Sequence, residues 1–393
     1  MKPNTALAVA GAGLALVTAA ALATTASAST PQQSSAAGGK HAVRVCGVPA
    51  KGYAACLAQV MVSNSTGKPD AIGSPSGYNP PDIQSAYALS GSSTATVAIV
   101  DAYNDPTAES DLGVYRSQFG LPACTTANGC FKKVSQTGTI KYPLTDPGWA
   151  TEISLDLDMV SATCPTCHIL LVEAKSASFT NLATAVNYAA SVAGVTAISN
   201  SYGGSDSAET SAYNHPGIAV TASSGDSGYG IQSPASYPHV IGVGGTSLVH
   251  ASNSRGWSET AWNGAGSGCS SLNAKPTWQT TVTQCSGDAV ADVSAVADPN
   301  TGVSVYDTTP YLGGVGWQVY GGTSVASPII ASVYALSGNT AGYPASYTWA
   351  HTAGLNDVTS GSNGTCTPSI WCTAGVGWDG PTGLGTPNGT SAF

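Results

Sequence analysis

Five short runs of apolar residues recur between residues 96 and 243, and stretches with helical character separate several of them. The runs lack an alternation of apolar and polar residues, which is typical of strands that helices cover on both faces. An alternation of strands and helices predicts parallel strands joined by right-handed crossovers. We therefore predict one large α/β domain. The expected strands are 96–102, 169–174, 196–202, 218–223 and 240–243, and the expected helices are 149–162, 180–192 and 324–336.

The N-terminus has the three parts of a secretory signal peptide. One lysine precedes an apolar run from Ala6 to about Ala23, and small residues follow at 26–28. A membrane anchor is the alternative, but a run so rich in Ala, Gly and Thr is marginal for spanning a bilayer. We predict a signal peptide at residues 1–28 and a secreted, extracellular protein that is not held in the membrane once this peptide is removed.

Residues 29–78 differ in amino-acid composition from the chain that follows them. The first part, 29–45, is rich in Ser, Ala, Gln and Gly, and the second contains a dense run of turn-forming residues. We predict a short pro-segment or N-terminal extension at 29–78 and the main domain at 79–393.

The cysteines fall into five pairs that are close in sequence: Cys46 with Cys56, Cys124 with Cys130, Cys164 with Cys167, Cys269 with Cys285, and Cys366 with Cys372. An even number of cysteines in an exported chain predicts disulfides, and five local loops are the simplest pairing. The Cys-Pro-Thr-Cys piece at 164–167 also has the spacing of a redox or zinc motif. It lacks the further ligands that zinc needs, so a structural bridge is favoured.

Charged residues make up only 8% of the chain, with 12 Lys and Arg against 21 Asp and Glu. Few ionic pairs means that little stability is lost when carboxylates are protonated, so the composition is suited to acidic surroundings. A generic extracellular surface of low charge is the alternative reading. The sequence contains no basic patch to neutralise phosphates, so we expect no nucleic-acid partner.

The stretch GGTSVASPII at 321–330 is similar to the nucleophile segment of subtilisin-like peptidases. A serine hydroxyl is a poor nucleophile until a neighbouring group takes its proton, and that group is commonly a histidine. None of the six histidines, at 41, 168, 215, 239, 250 and 351, lies in the kind of segment in which subtilisins hold theirs. The base for Ser324 must therefore be sought among other residues.

Two carboxyls on the predicted helix 149–162 are candidates for this base. Glu152 and Asp156 are four residues apart and project from the same helix face. Neighbouring like charges raise a carboxyl pKa, so the pair is able to share a proton, accept one from Ser324 and return it to a leaving amine. The alternative is a solvated helix face with Asp158 as a third member.

Polar residues also follow the ends of several predicted strands, where ligand sites of parallel sheets lie. Asp101, Ser201, Asp226 and Ser324 are therefore expected to converge on one cleft. Asp226, in the loop Ser-Gly-Asp-Ser-Gly, is placed to face a developing oxyanion, and an aspartate can donate a hydrogen bond there only when it is protonated. The alternative is a turn-forming aspartate that caps its own loop. We expect Asp101 to line the site or to be structural.

Four motifs resemble, in this order, those of the sedolisins, or serine-carboxyl peptidases: Pro81-Asp-Ile-x-x-Ala-Tyr, Glu152-x-x-Leu-Asp156, Ser-Gly-Asp226-Ser-Gly, and Gly-Gly-Thr-Ser324-x-Ala-x-Pro. The resemblance runs from about Asn79 to the C-terminus. It implies a subtilisin-like three-layer αβα fold and a secreted, acid-active endopeptidase in which a glutamate replaces histidine. It assigns Ser324 as nucleophile, Glu152 as general base and acid, Asp156 as its partner and Asp226 as oxyanion stabiliser.

The resemblance also implies one Ca²⁺ ion in the C-terminal region, bound by the side chains of Asp357 and Asp379 and the carbonyls of Val358, Gly375 and Gly377. Glycine-rich loops with carboxylates suit the oxygen ligands of calcium, although ordinary turns are the alternative.

We expect Ser201, Tyr202 and Gly203 to bind a protein or peptide substrate as an added strand. Sedolisins usually have a long pro-domain, whereas only about 50 residues precede the main domain here, and we expect self-cleavage near Gly77 or Tyr78.

Two rival functions stay open from the sequence. One is a subtilisin-type peptidase that uses one of the histidines, and the other is a non-catalytic secreted protein that binds peptides on the same fold. All four candidate catalytic residues are present, which favours an enzyme. We expect the protein to be a monomer.

Overall fold

The computed structural model describes residues 39–69 and 73–393, together with residues 1 and 3. The predicted signal peptide therefore lies outside the described residues, apart from those two. The chain divides into a unit of residues 1–32 and a unit of residues 33–393, and all strands and helices among the described residues belong to the second. Among the described residues, no helix has the length and apolar character that crossing a bilayer requires.

The described residues of this unit form many short strands and six α-helices. The strands are β1 (Lys40–Arg44), β2 (Ala55–Cys56), β3 (Gln59–Ser63), β4 (Thr96–Ala102), β5 (Phe131–Ser135), β6 (His168–Ala174), β7 (Val195–Asn200), β8 (Tyr202–Ser205), β9 (Ala219–Ser223), β10 (Gln232–Ser233), β11 (Ile241–His250), β12 (Trp257–Ala261), β13 (Gly268–Ala274), β14 (Gly287–Val290), β15 (Val293–Val296), β16 (Val303–Tyr311), β17 (Gly314–Gly321), β18 (Leu355–Asn356) and β19 (Thr386–Pro387). The helices are α1 (Pro80–Ala86), α2 (Ala108–Gln118), α3 (Pro147–Thr163), α4 (Phe179–Ser191), α5 (Thr323–Ser337) and α6 (Pro344–Ala350).

The central sheet has eight strands in the order β12-β11-β9-β7-β4-β6-β5, with β15 also beside β11. All pairs are parallel except β11 with β12. All five apolar runs are strands of this sheet. The last of them is longer than predicted, because β11 continues to His250 through glycines that hide its strand character. Those glycines are needed for packing, since a Cβ at Gly245 would stand 2.6 Å from the Cβ of Ala297.

Helices α3 and α5 pack against each other and against the sheet, and α4 packs on β4, β6 and β7. The three predicted helices are present with their ends shifted by one or two residues. Helix α3 begins where Asp146 caps it, because Oδ1 of Asp146 accepts a hydrogen bond from Trp149 N at 3.1 Å. The predicted α/β class with a mostly parallel sheet between helices is confirmed.

The N-terminal residues 40–63 add a part of the fold that the sequence did not predict. Strands β1 and β3 form an antiparallel sheet with the hairpin of β16 and β17, in the order β1-β3-β17-β16. Strand β2 joins β8 and β10 in a second small sheet. Apolar residues of this segment, among them Ala58 and Val60, belong to the main hydrophobic core. The predicted extension is thus packed on the domain that follows it.

The five predicted disulfides are all present, with Cα–Cα separations from 4.8 to 6.0 Å. No free cysteine is found in the described part of the chain. The Cys164–Cys167 pair is therefore a local bridge that follows helix α3, as the sequence favoured.

Candidate active site

The carboxyl ends of three neighbouring strands, β4, β7 and β9, meet beside the start of helix α5. Asp101 is the penultimate residue of β4, Ser201 follows β7, and Asp226 lies three residues after β9. After β4 the chain forms β5 and β6 on one side of β4 within the sheet, and it then forms β7 and β9 on the other side of β4. Such a reversal of strand order opens a crevice, and Ser324 points into it from the first turn of α5.

Glu152 lies on α3 and is completely buried. Its Oε2 accepts a hydrogen bond from Ala58 N at 2.7 Å. Burial, and then the negative charge of Asp101, raise the pKa of Glu152 well above its ordinary value, while the nearby Ser324 hydroxyl and the Ala58 N–H lower it. Its other oxygen, Oε1, is buried without a hydrogen-bond partner, so it is available to accept a proton from the nearby Ser324 hydroxyl.

Asp156 lies one turn further along α3 and is also completely buried. Its Oδ1 accepts a hydrogen bond from Ser201 Oγ at 2.7 Å, while Oδ2 has no partner. Burial, and then the charges of Asp101 and Glu152, raise the pKa of Asp156 well above its ordinary value. Among the contacts of the described residues, the two carboxyls influence each other by charge and not through a direct hydrogen bond.

The alternative of a solvated helix face does not apply, because every residue from Gly148 to Thr163 is buried. The third carboxyl, Asp158, accepts a hydrogen bond from Tyr306 N at 2.9 Å on another side of the helix. It therefore belongs to the packing of α3 against β16 and not to the Glu152 cluster.

Ser324 is the second residue of α5 and is buried. Its Oγ donates a hydrogen bond to the carbonyl oxygen of Ser201 at 3.3 Å. Four residues later, Pro328 has no N–H to donate to the Ser324 carbonyl, and Ser201 Oγ lies 3.4 Å from that free oxygen. The two serines thus connect α5 to the end of β7. The helix is entered through Gly322, whose φ of 101° favours glycine.

Asp226 meets the start of the same helix. Its Oδ1 accepts hydrogen bonds from Thr323 N and Thr323 Oγ1, both at 2.8 Å, and its Oδ2 accepts one from Gln59 Nε2 at 3.0 Å. Burial raises the pKa of Asp226 to about 6, although these donors act in the opposite direction. The carboxyl is therefore neutral in acid and able to donate a hydrogen bond there. These contacts join Asp226 to helix α5 and strand β3, so this aspartate does more than cap its own turn.

The residues predicted to bind substrate, Ser201, Tyr202 and Gly203, are buried and paired with the N-terminal segment. Tyr202 and Gly203 begin strand β8, which pairs antiparallel with Ala55 and Cys56 of β2. Gly204 allows a close approach, because a Cβ there would stand 2.7 Å from the carbonyl oxygen of Tyr53. The edge of β8 thus accepts an extended chain, and in this structure that chain is the N-terminal segment.

Asp101 lies within the carboxyl cluster of Glu152 and Asp156, whereas the sequence predicted only that it lines the site or is structural. Both of its oxygens are buried without a hydrogen-bond partner. Burial, and then the charge of Glu173, raise its pKa to about 8. Its position as the last acidic residue of a central strand was the available signal, but only the packing of β4 against α3 places it beside Glu152 and Asp156.

The six histidines lie in other surroundings. Five have well-defined partners. His41 contacts Asn64 Oδ1, and His215 contacts the carbonyl oxygen of Ala212. His239 pairs with Glu209 at 2.7 Å, His250 packs against Trp257, and His351 stacks on Tyr347. Within the described residues, which include all six, none is hydrogen-bonded to Ser324. The position beside the nucleophile belongs to Glu152.

The residues predicted to bind calcium come together in the C-terminal loops. Gly377 N donates to Asp357 Oδ2 at 3.0 Å, and Gly375 N donates to Asp379 Oδ2 at 3.1 Å. Burial raises the pKa of Asp379 to about 7, and the neighbouring charge of Asp357 acts in the same direction. In the part of the chain that the structure describes, no group of three or more His, Cys, Asp or Glu side chains is arranged to hold a metal. The predicted set differs from such a group, because it has two carboxylates and otherwise relies on carbonyl oxygens.

Comparison with known proteins gives three consistent matches. The model of the subtilase family matches residues 137–364, which include Glu152, Asp156, Asp226 and Ser324. Kumamolisin from Bacillus sp. (strain MN-32) is 30% identical over 80% of this chain and 63% of its own length, and sedolisin from Pseudomonas sp. (strain 101) is 28% identical over 82% and 62%. The chain thus spans less than two thirds of these relatives.

A solved structure of Pseudomonas sedolisin, a serine-carboxyl proteinase in complex with two molecules of pseudo-iodotyrostatin, superimposes with a TM-score of 0.64. It is 27% identical and covers 80% of this chain and 96% of that one.

Proposed function

Because the chain belongs to the subtilase family, with kumamolisin and sedolisin among its relatives, we propose that it is a serine-carboxyl endopeptidase active at acidic pH. The observation that carries the proposal is the buried cluster at the start of α5. There the Ser324 hydroxyl lies near Glu152, whose Oε1 has no hydrogen-bond partner, and the preceding residue, Thr323, donates to Asp226. A nucleophile, a base and an oxyanion donor are thus close together.

The base in this mechanism is the ionised member of a carboxyl cluster. Asp101, Glu152 and Asp156 cannot all be charged in one buried space, so the cluster retains protons. The remaining negative charge is most stable where hydrogen-bond donors meet it. Glu152 receives one donor, Ala58 N, Asp156 receives one, Ser201 Oγ, and Asp101 receives none. Asp101 is therefore the least able to hold the charge, and of the other two carboxyls Glu152 is the one near the Ser324 hydroxyl. Glu152 thus takes the proton of Ser324, and Asp156, one turn away on α3, is its partner through charge.

Asp226 has the role of oxyanion stabiliser. As Ser324 attacks a peptide carbonyl, negative charge develops on the carbonyl oxygen, and a neutral carboxyl at the start of α5 donates a hydrogen bond to it. A donor of this kind contributes about 3–4 kcal/mol to the transition state in related chemistry. Because the pKa of Asp226 is raised to about 6, the donor is present in acid and is lost as the pH rises through that value.

The substrate is a protein or peptide bound in extended form along β8, with Ser201, Tyr202 and Gly203 as its main-chain partners. The edge of β8 accepts such a chain by strand addition, and Gly204, where a Cβ would meet the Tyr53 carbonyl oxygen, leaves room for it. The leaving amine takes its proton from Glu152, and water then frees the acyl-enzyme.

The C-terminal loops are suited to one Ca²⁺ ion. The charge of Asp357 acts with burial to raise the pKa of Asp379, and the neighbours of Asp379 that lower it are two backbone N–H groups and a hydroxyl. A hard cation bound by both carboxylates and by the carbonyls of Val358, Gly375 and Gly377 would neutralise the pair and hold the loops together.

We place the protein outside the cell as a monomer. The five disulfides are typical of chains that mature in an oxidising compartment. A histidine-dependent peptidase is disfavoured by the surroundings of the six histidines, and a non-catalytic binding protein is disfavoured by the complete set of catalytic groups.

The test is the digestion of a denatured protein at about pH 4, a value near the ordinary carboxyl pKa. We expect peptide products from the wild type and none from Ser324→Ala. The matched control is Ser332→Ala, a buried serine of the same helix whose hydroxyl has no hydrogen-bond partner, and this variant should digest normally. Equal digestion by Ser324→Ala would contradict the proposal.

A further inference from the structure

Residues 55–60 pass through the cleft in extended form, between strand β8 and the start of helix α5. We propose that the peptide bond between Leu57 and Ala58 is a self-cleavage site, held in the place of a substrate until Ser324 cuts it. The inference rests on the proposed peptidase function and identifies its first substrate as the protein's own N-terminal segment.

The acyl side of this bond is paired with the substrate strand. Ala55 lies opposite Gly203 and Cys56 lies opposite Tyr202 in an antiparallel ladder. Leu57 N then donates to the carbonyl oxygen of Ser201 at 3.3 Å. That same oxygen accepts the hydrogen bond of Ser324 Oγ. The residue beside the nucleophile along this strand is therefore Leu57.

The two atoms of the bond face the two groups that chemistry requires. Ala58 N donates to Glu152 Oε2 at 2.7 Å, so the leaving nitrogen lies at the base that will return a proton to it. The carbonyl oxygen of Leu57 lies against Gly322, where a Cβ would collide with it, and that Cβ would also stand 2.6 Å from Asp226 Oδ2. The carbonyl oxygen and the oxyanion carboxyl thus share one small space.

The chain beyond the bond is held as firmly as the chain before it. Gln59 lies opposite Gly321 and Val60 lies opposite Tyr320 in the ladder of β3 with β17. Gln59 Nε2 also donates to Asp226 Oδ2 at 3.0 Å. Main-chain pairing on both sides centres the Leu57–Ala58 bond on Ser324, and it leaves the cleft closed to other substrates.

The sequence led us to expect cleavage near Gly77 or Tyr78, and the structure gives those residues other partners. Tyr78 N donates to the carbonyl oxygen of Gly302 at 2.9 Å, and Tyr78 Oη donates to that of Leu248 at 2.7 Å. Tyr78 is thus anchored to the start of β16 and to β11, whereas the bond presented to Ser324 and Glu152 lies 20 residues earlier in the chain.

The reaction balances with water as the only co-reactant. Ser324 Oγ bonds to the carbonyl carbon of Leu57, and its proton passes to Glu152. The bond from that carbon to Ala58 N breaks as Glu152 gives the proton to the nitrogen. Water then adds to the acyl carbon and the ester bond to Ser324 breaks, which restores the hydroxyl and leaves a carboxyl on Leu57 and an amine on Ala58.

The cut separates the segment from the domain covalently. Both cysteines of the Cys46–Cys56 bridge lie before the bond, so no disulfide joins the two products. Pairing of β1 with β3 over five residues still holds the first product in place. We therefore expect proteolytic activity to appear after a lag, as this product dissociates.

The experiment follows the chain that begins after the signal peptide, purified near neutral pH and then shifted to about pH 4, near the ordinary carboxyl pKa. N-terminal sequencing and mass spectrometry should show a new N-terminus at Ala58, and cleavage of an added denatured protein should rise as this terminus appears. Ser324→Ala should keep the bond intact. An active enzyme with an intact Leu57–Ala58 bond, or one cut only at another bond, would overturn the inference.

Ala58→Pro removes the N–H that binds Glu152, and we expect loss of the cut at this bond. Ala50→Pro is the matched control, because it makes the same change in the same segment at an exposed residue, and it should be cut as the wild type is.

A synthetic peptide of residues 53–62, with Ser in place of Cys56, keeps the test decisive if Ala58→Pro does not fold. Processed enzyme should cut it between Leu and Ala, and a cut elsewhere or none would count against the site. An enzyme that digests denatured protein but spares this bond refutes only the inference. A protein that cuts neither refutes the proposed function.

Discussion

Carboxyl side chains of like charge meet in two regions of this molecule, the active-site cleft and the C-terminal loops. In the cleft, Asp101, Glu152 and Asp156 are all completely buried. In the loops, Asp379 is buried, but its neighbour Asp357 is exposed to solvent. Both groups face repulsion between like charges, and they differ in whether a proton or a hydrated cation is able to reach them.

The two regions reduce the repulsion between their carboxylates in different ways. A closed cluster without access for a hydrated cation lowers its charge by holding protons, and a shared proton is what acid–base catalysis needs. An open pair among glycine-rich loops lowers its charge by binding a cation, which supplies stability instead of chemistry. We therefore expect substitutions in the first cluster to affect catalysis and substitutions in the second to affect stability.

The largest expected effect is that of Glu152→Gln. An amide cannot accept the serine proton, so kcat at acidic pH should fall by about 10²–10⁴-fold, the range typical of a lost general base. Asp158→Asn is the matched control, because this carboxyl is buried on the same helix but binds the Tyr306 N–H. It should change kcat by only a few-fold. If both variants lose activity equally, burial on α3 and not proton transfer explains the loss.

A second prediction concerns the C-terminal pair, measured in the Ser324→Ala background to prevent self-digestion. Saturating calcium should raise the free energy of unfolding by about 3 kcal/mol over a chelator-treated sample, as a ligand at about 100 times its Kd does. Asp357→Asn should remove most of this increase, whereas Asp298→Asn, a carboxyl in another loop, should keep it. An unchanged calcium response in Asp357→Asn would break the contrast between the two regions.

A third and smaller effect tests whether burial alone makes a carboxyl hold its proton. Burial raises the pKa of Asp292 to about 6, outside both clusters. The unfolded chain loses this proton near pH 4 and the folded chain keeps it, so stability should fall as the pH rises from about 4 to about 6, by about 3 kcal/mol. In the Ser324→Ala background, Asp292→Asn should reduce the pH dependence of the free energy of unfolding by that amount. An unchanged dependence would contradict the assigned pKa.

Local patterns in the sequence predicted the parts of the fold that depend on local information. The strand 96–102 is identical in the structure, because a continuous apolar run between turns specifies a buried strand. The Cys269–Cys285 bridge, like the other four, joins the nearest cysteines. The resemblance to the sedolisins, carried by four motifs, is confirmed by the matches to kumamolisin and sedolisin and by the fold.

Local patterns in the sequence did not predict the contacts between distant segments. The passage of residues 55–60 through the cleft depends on pairing with Gly203 and Gly321, which lie about 150 and 260 residues away and carry no signal of this partner. The place of Asp101 beside Glu152 depends on how β4 packs on α3. The roles of the individual site residues, the calcium ion and the domain boundaries remain predictions for experiment.

The most direct test of the central claim, that buried carboxyls replace a histidine and an amide, is the pH dependence of kcat/KM for a peptide substrate. Wild-type activity should fall as the pH rises through about 6, where Asp226 loses its proton. Asp226→Asn should keep activity above that pH, because an amide donates a hydrogen bond at any pH. A neutral-to-alkaline optimum that is unchanged in Asp226→Asn, or that disappears when a single histidine is replaced, would contradict the account.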